Sequence, residues 1–598
     1  MAGDPNQALR SIPHRLREQA RQRPGHPAYA VRLGGRWLST TYQTYAEEVD
    51  TVARALIALG LAPEEKVCIL GFNRPEWVLM DVGAMTAGGV PAGIYTTCSP
   101  EEVRYIVEHA EARIVLVENA EQWAKLDAER ANLPRLEHVV LMRGAEVDDP
   151  LCMSWDAFLG RASTVDEAAL EARLSKIRPE GVATFIYTSG TTGPPKAVML
   201  SHRNLAWTAE CARQIARATA EDRMLSYLPL SHIAEQMFTI HIPITVGATV
   251  HYARSMEDLP DDLREVRPTV FLGVPRVWEK MKAKLQSALE GATGPKAKLA
   301  AWAMGVGRRT IATTSAGKPA PLLLGLQYRI AERLVFSKVK ARLGFDAIKV
   351  AVTGAAPISD DVLQFFTGLG ITIHEVYGQS EGSGPTTFNQ PGRTRFGTVG
   401  QALPGTEVRI AEDGEILARG PHVFLGYYKN PEATAETLKD GWLCSGDLGR
   451  LDADDFLKIV GRKKEIIVTA GGKNIAPKNI EAALKDLPLV SQAVVIGDRR
   501  PYLTALLTLD PEAAAALGAS KDPHADPRVQ TELQKGIDER VNPRFARVEQ
   551  VRKFAVLPRD FSVEGGELTP SLKLKRRVVD ERYAAEIDAL YGTARARA

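Results

Sequence analysis

Ten residues, Tyr187 to Lys196 (YTSGTTGPPK), gather the side chains of an anion-binding loop. Gly190 and Gly193 allow tight turns and close approach of a ligand to the backbone. Thr188, Ser189, Thr191 and Thr192 add hydroxyls, and successive free N–H groups in such a loop form a nest for phosphate oxygens. Lys196 contributes a mobile positive charge. A Walker loop is excluded, because that motif sets a lysine directly after its second glycine and then Ser or Thr. Here Pro194 and Pro195 intervene and Ala197 follows. An ordinary surface turn is the bland alternative, and so long a run of these residue types weighs against it.

Further polar passages follow in order. VYGQSEG (Val376 to Gly382) offers an aromatic ring at Tyr377 and a carboxylate at Glu381. A carboxylate suits a hard cation beside phosphates, although alone it is more often a solvated loop acid. In TGAAPIS (Thr353 to Ser359), Gly354, Ala355 and Ala356 let a flat base approach the backbone. Asp447, in SGDLG, is either a turn former or an acceptor for a vicinal diol, whose two hydroxyls can both donate to it. His232, in YLPLSHIAEQ, is either structural or part of a pocket wall. GELTPSLKLKRRVV (Gly566 to Val579) is a basic cluster of the kind that usually forms a solvated face.

Taken together, from about Ala28 to Val579, these passages resemble the adenylate-forming superfamily of acyl-CoA synthetases, peptide-synthetase adenylation domains and beetle luciferases. The resemblance implies an ATP site. Thr188, Ser189, Gly190, Thr191, Thr192, Gly193 and Lys196 would hold the β- and γ-phosphates. Tyr377 would lie against adenine, with Gly378, Gln379, Ser380 and the Gly354–Ala355–Ala356 turn completing that wall. Glu381, with Thr188, would take Mg²⁺. Asp447 would accept from the ribose hydroxyls, and Arg462 would bind them from the hinge side. Lys464 falls at the hinge position, and Lys573 at that of the catalytic lysine. After rotation of a small domain, Gly471 and Gly472 would face the thioester site. His232, Val274 and Gly354 would line the carboxylate pocket.

Two departures stand out: Ser380 replaces the usual Thr, and Ser571-Leu572-Lys573 replaces Ser-Gly-Lys, leaving Lys575 as an alternative to Lys573. SHIAEQ, GVPRVWEKM (Gly273 to Met281), the Asp440 to Glu465 passage and ELTPSLKLKR resemble long-chain fatty acyl-CoA synthetases most closely. That resemblance implies attack of a fatty carboxylate on the α-phosphorus of ATP, loss of pyrophosphate, and acyl transfer to coenzyme A with release of AMP. The rivals are loading of a carrier protein, a medium-chain or other carboxylate substrate, a non-enzymatic nucleotide-binding module and, remotely, a luciferase-like oxidase.

These loops need a scaffold. Lys66 to Gly71, Arg113 to Val117, Val139 to Met142, Val182 to Thr188, Thr269 to Leu272 and Ala347 to Thr353 read as short buried strands, and Glu76 to Ala87 as a helix. Strands separated by helical stretches predict an α/β fold with βαβ-built parallel sheets, whose ligands sit at the carboxyl ends of strands. The texture changes after about Val460, where GRKKEIIVTAGGKNIAP precedes a helix (Pro477 to Leu487), two strands (Gln492 to Ile496, Leu503 to Leu509) and an Ala- and charge-rich helical region. The expected division is a large domain over residues 1–461 and a small mobile α+β domain over 462–598.

At 598 residues more than one domain is expected. A net charge of +2 gives no pull toward nucleic acid. Five cysteines without a CxxC pair predict reduced thiols, and the N-terminus shows no secretory h-region, so a cytoplasmic setting is expected. The longest apolar candidate, Phe238 to Tyr252, is interrupted by polar residues and proline, too short to span a bilayer. The segment Pro295 to Arg342 carries ten Lys or Arg and one acid, Glu332. Within it Leu326, Ile330 and Leu334, then Val335, Val339 and Leu343, recur at helical spacing. Such a helix either lies on an anionic membrane surface near 326–343 or packs on the protein with a solvated basic face. Oligomerisation is left open.

Overall fold

The computed structural model describes residues 10–188, 193–290, 294–315, 319–520, 522–569 and 573–592. Ser189, Gly190, Thr191 and Thr192 of the loop, with Pro570, Ser571 and Leu572 ahead of Lys573, lie outside them. The fold is α/β. Its central eight-stranded sheet has the order Gly426–Tyr427, Lys196–Ser201, Val182–Thr188, Val90–Ile94, Lys66–Leu70, Ile114–Val117, His138–Leu141, Cys152–Ser154. Pairing is parallel from Val182–Thr188 outward to Cys152–Ser154, and antiparallel on the Lys196–Ser201 side. Ile114–Val117 and Val90–Ile94 are buried at every position, as strands covered on both faces must be.

A second sheet begins with the parallel strands Val270–Gly273, Val350–Thr353 and Ile373–Gln379 and continues with antiparallel Gly384–Phe388 and Gln401–Ala402. A third sheet contains Glu407–Ile410, Glu415–Arg419 and Trp442–Leu451, which pairs with Leu457–Arg462. Beyond it, helix Pro477–Lys485 packs on antiparallel Val490–Ile496 and Leu503–Leu509. Among the described residues, the buried members of two apolar cores lie within 467–587 and those of four lie within 12–443.

The strands read from sequence are present, some unchanged and others with ends moved by one to three residues, and helix Pro75–Thr86 occupies the expected place. Four expectations change. The strand anticipated at Ala347 starts at Val350, because Ile348 N–H donates to the Phe345 carbonyl in a turn. The apolar run from Phe238 is broken into a π-turn Met237–His241, a helix Ile242–Val246 and a strand Thr249–Tyr252, with Gly247 at φ +84° ending the helix. Val551–Val556, within the region read as helical, forms a strand parallel to Leu503–Leu509. Exposed Arg552 and Lys553 hide its pattern at this sheet edge. The basic segment divides into helix Leu322–Ala331, a π-turn Glu332–Phe336 and helix Ser337–Leu343. The one-residue jump from Leu334 to Val335 in the apolar pattern falls within that π-turn.

Candidate active site

Thr188 ends one strand and Lys196 begins the strand returning beside it, so the two are register partners that fix both ends of the intervening loop on the sheet. Thr188 Oγ1 donates to the Lys196 carbonyl at 3.5 Å. Lys196 Nζ stands 4.8 Å from the centroid of the Tyr427 ring, a cation–π distance. The Tyr427 hydroxyl donates to Glu381 Oε1 at 2.7 Å. Burial, then the Glu381 charge, pushes the phenol pKa well up, so it stays a donor. The strand pair Tyr427–Val198 and the bond from Phe424 N–H to the Glu381 carbonyl tie this group to the end of the sheet. Tyr427 is absent from the residues read in sequence. The tyrosine pair in LGYYKN was its only signal.

Glu381 follows the strand Ile373–Gln379, in a 3-10 turn whose Ser380 is buried. Gly378 is required there, since a Cβ would stand 1.7 Å from the Gly384 carbonyl oxygen across the hairpin. The neighbouring strand ends in the Gly354–Ala355–Ala356 turn. A Cβ on buried Gly354 would meet Val376 Cγ1 at 2.6 Å, and Ala355 holds a left-handed φ of +69° with its surface open. The wall is therefore flat because side chains are excluded from it.

Asp447 is buried and each of its oxygens has a donor. Tyr377 Oη reaches Oδ2 at 2.9 Å, and Arg462 Nε reaches Oδ1 at 3.0 Å. Asp447 and Arg462 are register partners, so the pair is set by the hairpin itself. An ionised carboxylate offers about four lone-pair sites, leaving capacity for further donors. Burial, then the Asp447 charge, raises the Tyr377 phenol well above its ordinary value.

Lys573 belongs to the small C-terminal unit yet stands in this cluster. Its amide donates to Thr569 Oγ1 at 3.0 Å, and Thr569 N–H returns to its carbonyl at 2.7 Å. The residue is exposed to solvent, while the protein around its ammonium is dense enough to lower its pKa. Burial is the main cause, followed by the Arg462 charge, with Glu381 and Asp447 opposing. Lys575 behaves differently: its backbone N–H donates to the Glu567 carbonyl, and its charge acts on Cys98.

His232 caps helix Ile233–Gln236, its Nδ1 accepting from Ala234 N–H at 3.1 Å. Burial, then the charge of Lys573, lowers its pKa to about 4. Three residues on, Glu235 is buried and accepts from Thr239 Oγ1 at 2.8 Å and Tyr227 N–H at 3.1 Å. Burial lifts this carboxyl to about 7. Glu235 was not read from sequence, where an acid on a short polar helix carries no mark of burial. Val274 is half-buried after the strand Val270–Gly273, packed with the group that holds Trp278 and Phe345.

Not every anticipated residue joins the cluster. Lys464 is exposed in the turn Lys463–Glu465. Gly471 and Gly472 lie on an exposed hairpin loop, Gly472 at φ +72°, and among the described residues no hydrogen bond links them to Lys573 or Glu381.

The model of the AMP-binding enzyme family matches residues 16–428, and that of the AMP-binding enzyme C-terminal domain matches 464–595. The chain belongs to the AMP-binding enzyme family. Its relatives include long-chain-fatty-acid–CoA ligase ACSBG2 of Xenopus laevis, 38% identical over 97% of this chain and 83% of the relative. Long-chain-fatty-acid–CoA ligase FadD15 of Mycobacterium tuberculosis is 38% identical over 96% of both chains. In fold the chain resembles the adenylation domain of the carboxylate reductase GR01_22995 from Mycobacterium chelonae (TM-score 0.76, 22% identity, 99% of this chain and 92% of that one). It also resembles the anthranilate CoA ligase AuaEII in complex with anthranoyl-AMP (TM-score 0.73, 21% identity, 97% and 98%).

Proposed function

We propose that this chain is an AMP-forming ligase that converts a long-chain fatty acid, ATP and coenzyme A to fatty acyl-CoA, AMP and pyrophosphate. The observation that carries this reading is Lys573. The charge of this lysine from the C-terminal unit acts on His232 of the large one, and it is acted on in turn by Glu381 and Asp447 there and by Arg462 at the boundary between the units. The names of relatives 36% to 40% identical supply the substrate class.

In the first half-reaction a carboxylate oxygen attacks the α-phosphorus and the bond to the pyrophosphate oxygen breaks. The protein's share is positioning and charge stabilisation. Lys196 and the loop ahead of it would hold the departing pyrophosphate, and Asp447, backed by Arg462, would accept from the ribose. Tyr377 and the Gly354–Ala356 wall would take adenine, and Lys573 would bridge carboxylate and α-phosphate. Glu381 fits a Mg²⁺ ligand, because this ion commonly takes one or two carboxylates together with substrate phosphates. Bound there, Mg²⁺ would offset phosphate charge. In the second half-reaction the thiol of coenzyme A attacks the adenylate carbonyl and AMP leaves, after the small unit, taken as residues 462–598, rotates about Lys464 to bring Gly471 and Gly472 inward. Lys573 is favoured over Lys575 because the charges of Glu381 and Asp447 act on its ammonium.

The test is a panel of carboxylic acids assayed for coenzyme A-dependent AMP formation, with a phosphopantetheinylated carrier protein as the competing acceptor. Palmitate with coenzyme A is the expected best pair. Lys573→Ala should lower adenylation at least ~100-fold while a supplied acyl-adenylate is still thioesterified, and Lys575→Ala should change either step by less than ~10-fold. Equal loss of both half-reactions in Lys573→Ala would remove its assigned role.

A further inference from the structure

Between Gly294 and Leu343 the chain builds a helical projection with one covered face and one bare face. Helix Gly294–Ser315 packs against helix Asp360–Gly368. Helix Leu322–Ala331 and the π-turn after it lie on that first helix through Ala303, Val306, Ala331 and Phe336, with Tyr328 and Leu324 alongside. The opposite side carries Leu322, Leu323, Leu326, Ile330 and Leu334, between 42% and 96% exposed. Steps of four residues from Leu322 to Leu334 run down one side of a helix, so these chains form a continuous ridge. A contiguous apolar ridge of this kind marks an interaction surface.

Charge selects the partner. Arg329, Arg333, Lys338 and Arg342 are exposed along the same side, and among the described residues none is paired with a carboxylate. Glu332, the only acid from Pro295 to Arg342, is neutralised by Lys340 at 3.1 Å. A second copy docked through this face would set the same unpaired cations against each other. An anionic lipid surface takes both elements together, with the aliphatic ridge among acyl chains and the cations among phosphates. Among the described residues no helix is long and apolar enough to cross a membrane, so the contact is an interfacial one.

We propose that this face docks the protein on the surface of an anionic phospholipid bilayer, with Leu322, Leu323, Leu326, Ile330 and Leu334 as the inserted ridge and Arg329, Arg333, Lys338 and Arg342 as the headgroup contacts. The proposal stands apart from the ligase reading, because binding is measured without turnover. Full-length protein is sedimented with vesicles of phosphatidylcholine alone and of phosphatidylcholine with an equal share of phosphatidylglycerol. Partitioning onto the anionic vesicles should be at least ~10-fold stronger and should fall as salt rises. Leu326→Glu with Ile330→Glu, and separately Arg329→Gln with Arg333→Gln, should each weaken it about tenfold or more. Both pairs are exposed, and a wild-type melting temperature by circular dichroism checks that each variant is folded. Equal or absent binding on the two vesicle types would overturn the proposal, as would wild-type binding by both variants. So would a solution dimer, seen by ultracentrifugation, that the Leu326→Glu, Ile330→Glu pair dissociates.

Discussion

His232 can give the cleft only one kind of hydrogen bond. Its Nδ1 is occupied by the Ala234 N–H, so Nε2 carries the proton, and a pKa near 4 keeps the ring neutral at working pH. A neutral donor near the Lys573 ammonium is suited to hold a carboxylate without competing for its charge. His232→Ala should therefore raise the KM for the fatty acid by about 10- to 100-fold, the value of a hydrogen bond to a charged group. The KM for ATP should move less than threefold, and equal changes in both would mean that His232 supports the fold rather than the substrate. Tyr427 allows a second test at this scale. Its hydroxyl fixes Glu381 while its ring faces Lys196. Tyr427→Phe keeps the ring and removes the bond, so half-saturation by Mg²⁺ should rise by about 2- to 10-fold. An unchanged Mg²⁺ requirement would separate Glu381 from the metal.

At the scale of elements, Glu235 holds the short helix that His232 caps. It receives the Tyr227 amide and the Thr239 hydroxyl, while Asn73, 3.4 Å away, also reaches Ser226 and the Leu228 carbonyl. With a folded pKa of about 7 against roughly 4.3 unfolded, the native state holds the proton more tightly. That contribution is complete below about pH 4.3 and is lost as pH rises through 7, at most ~4 kcal/mol. Glu235→Gln cannot ionise, so between pH 5 and pH 8 its Tm should fall less than that of the wild type, and parallel falls would place the titration elsewhere. Glu235 also shows where sequence reading stops. Buried parallel strands such as Ile114–Val117 were legible because they are apolar throughout, and Thr188, Glu381 and Asp447 were legible because each sits in a dense local motif. Tyr427 and Glu235 acquire their surroundings from partners 46 residues and 8 residues away, through pairing and burial that no local spacing encodes. Strand Val551–Val556 was lost for a related reason: it needs one covered face only, and its charged residues point outward.

At the scale of the whole molecule, the two half-reactions place opposite demands on one cleft. On the proposed mechanism Lys573 is needed for adenylation and must be absent when the thiol arrives, while Gly471 and Gly472 lie on an exposed hairpin loop. The start of the small unit is tied to the large one at the hinge, since Arg462 is paired with Asp447, and Lys463 with Glu415 at 3.1 Å. Across the opposite side, among the described residues, thin contacts join the units: Arg276 to Ser491 at 3.5 Å and to Asp510 at 4.0 Å. Partly exposed pairs of this kind contribute less than about 1 kcal/mol, so rotation of the small unit meets its constraint in the backbone of the turn Lys463–Glu465. Proline at Lys464 tests that directly. A 3-10 turn uses φ values close to the proline value, so the present arrangement tolerates the ring, whereas a large change in φ does not. Lys464→Pro should keep single-turnover pyrophosphate release within about tenfold of wild type and reduce acyl-CoA formation from bound adenylate by about 100-fold or more. If acyl-CoA formation survives, the turn is not the pivot and Lys573 must leave the cleft by movement of its own loop. If pyrophosphate release is lost as well, the arrangement seen here already depends on a Lys464 φ that proline cannot adopt.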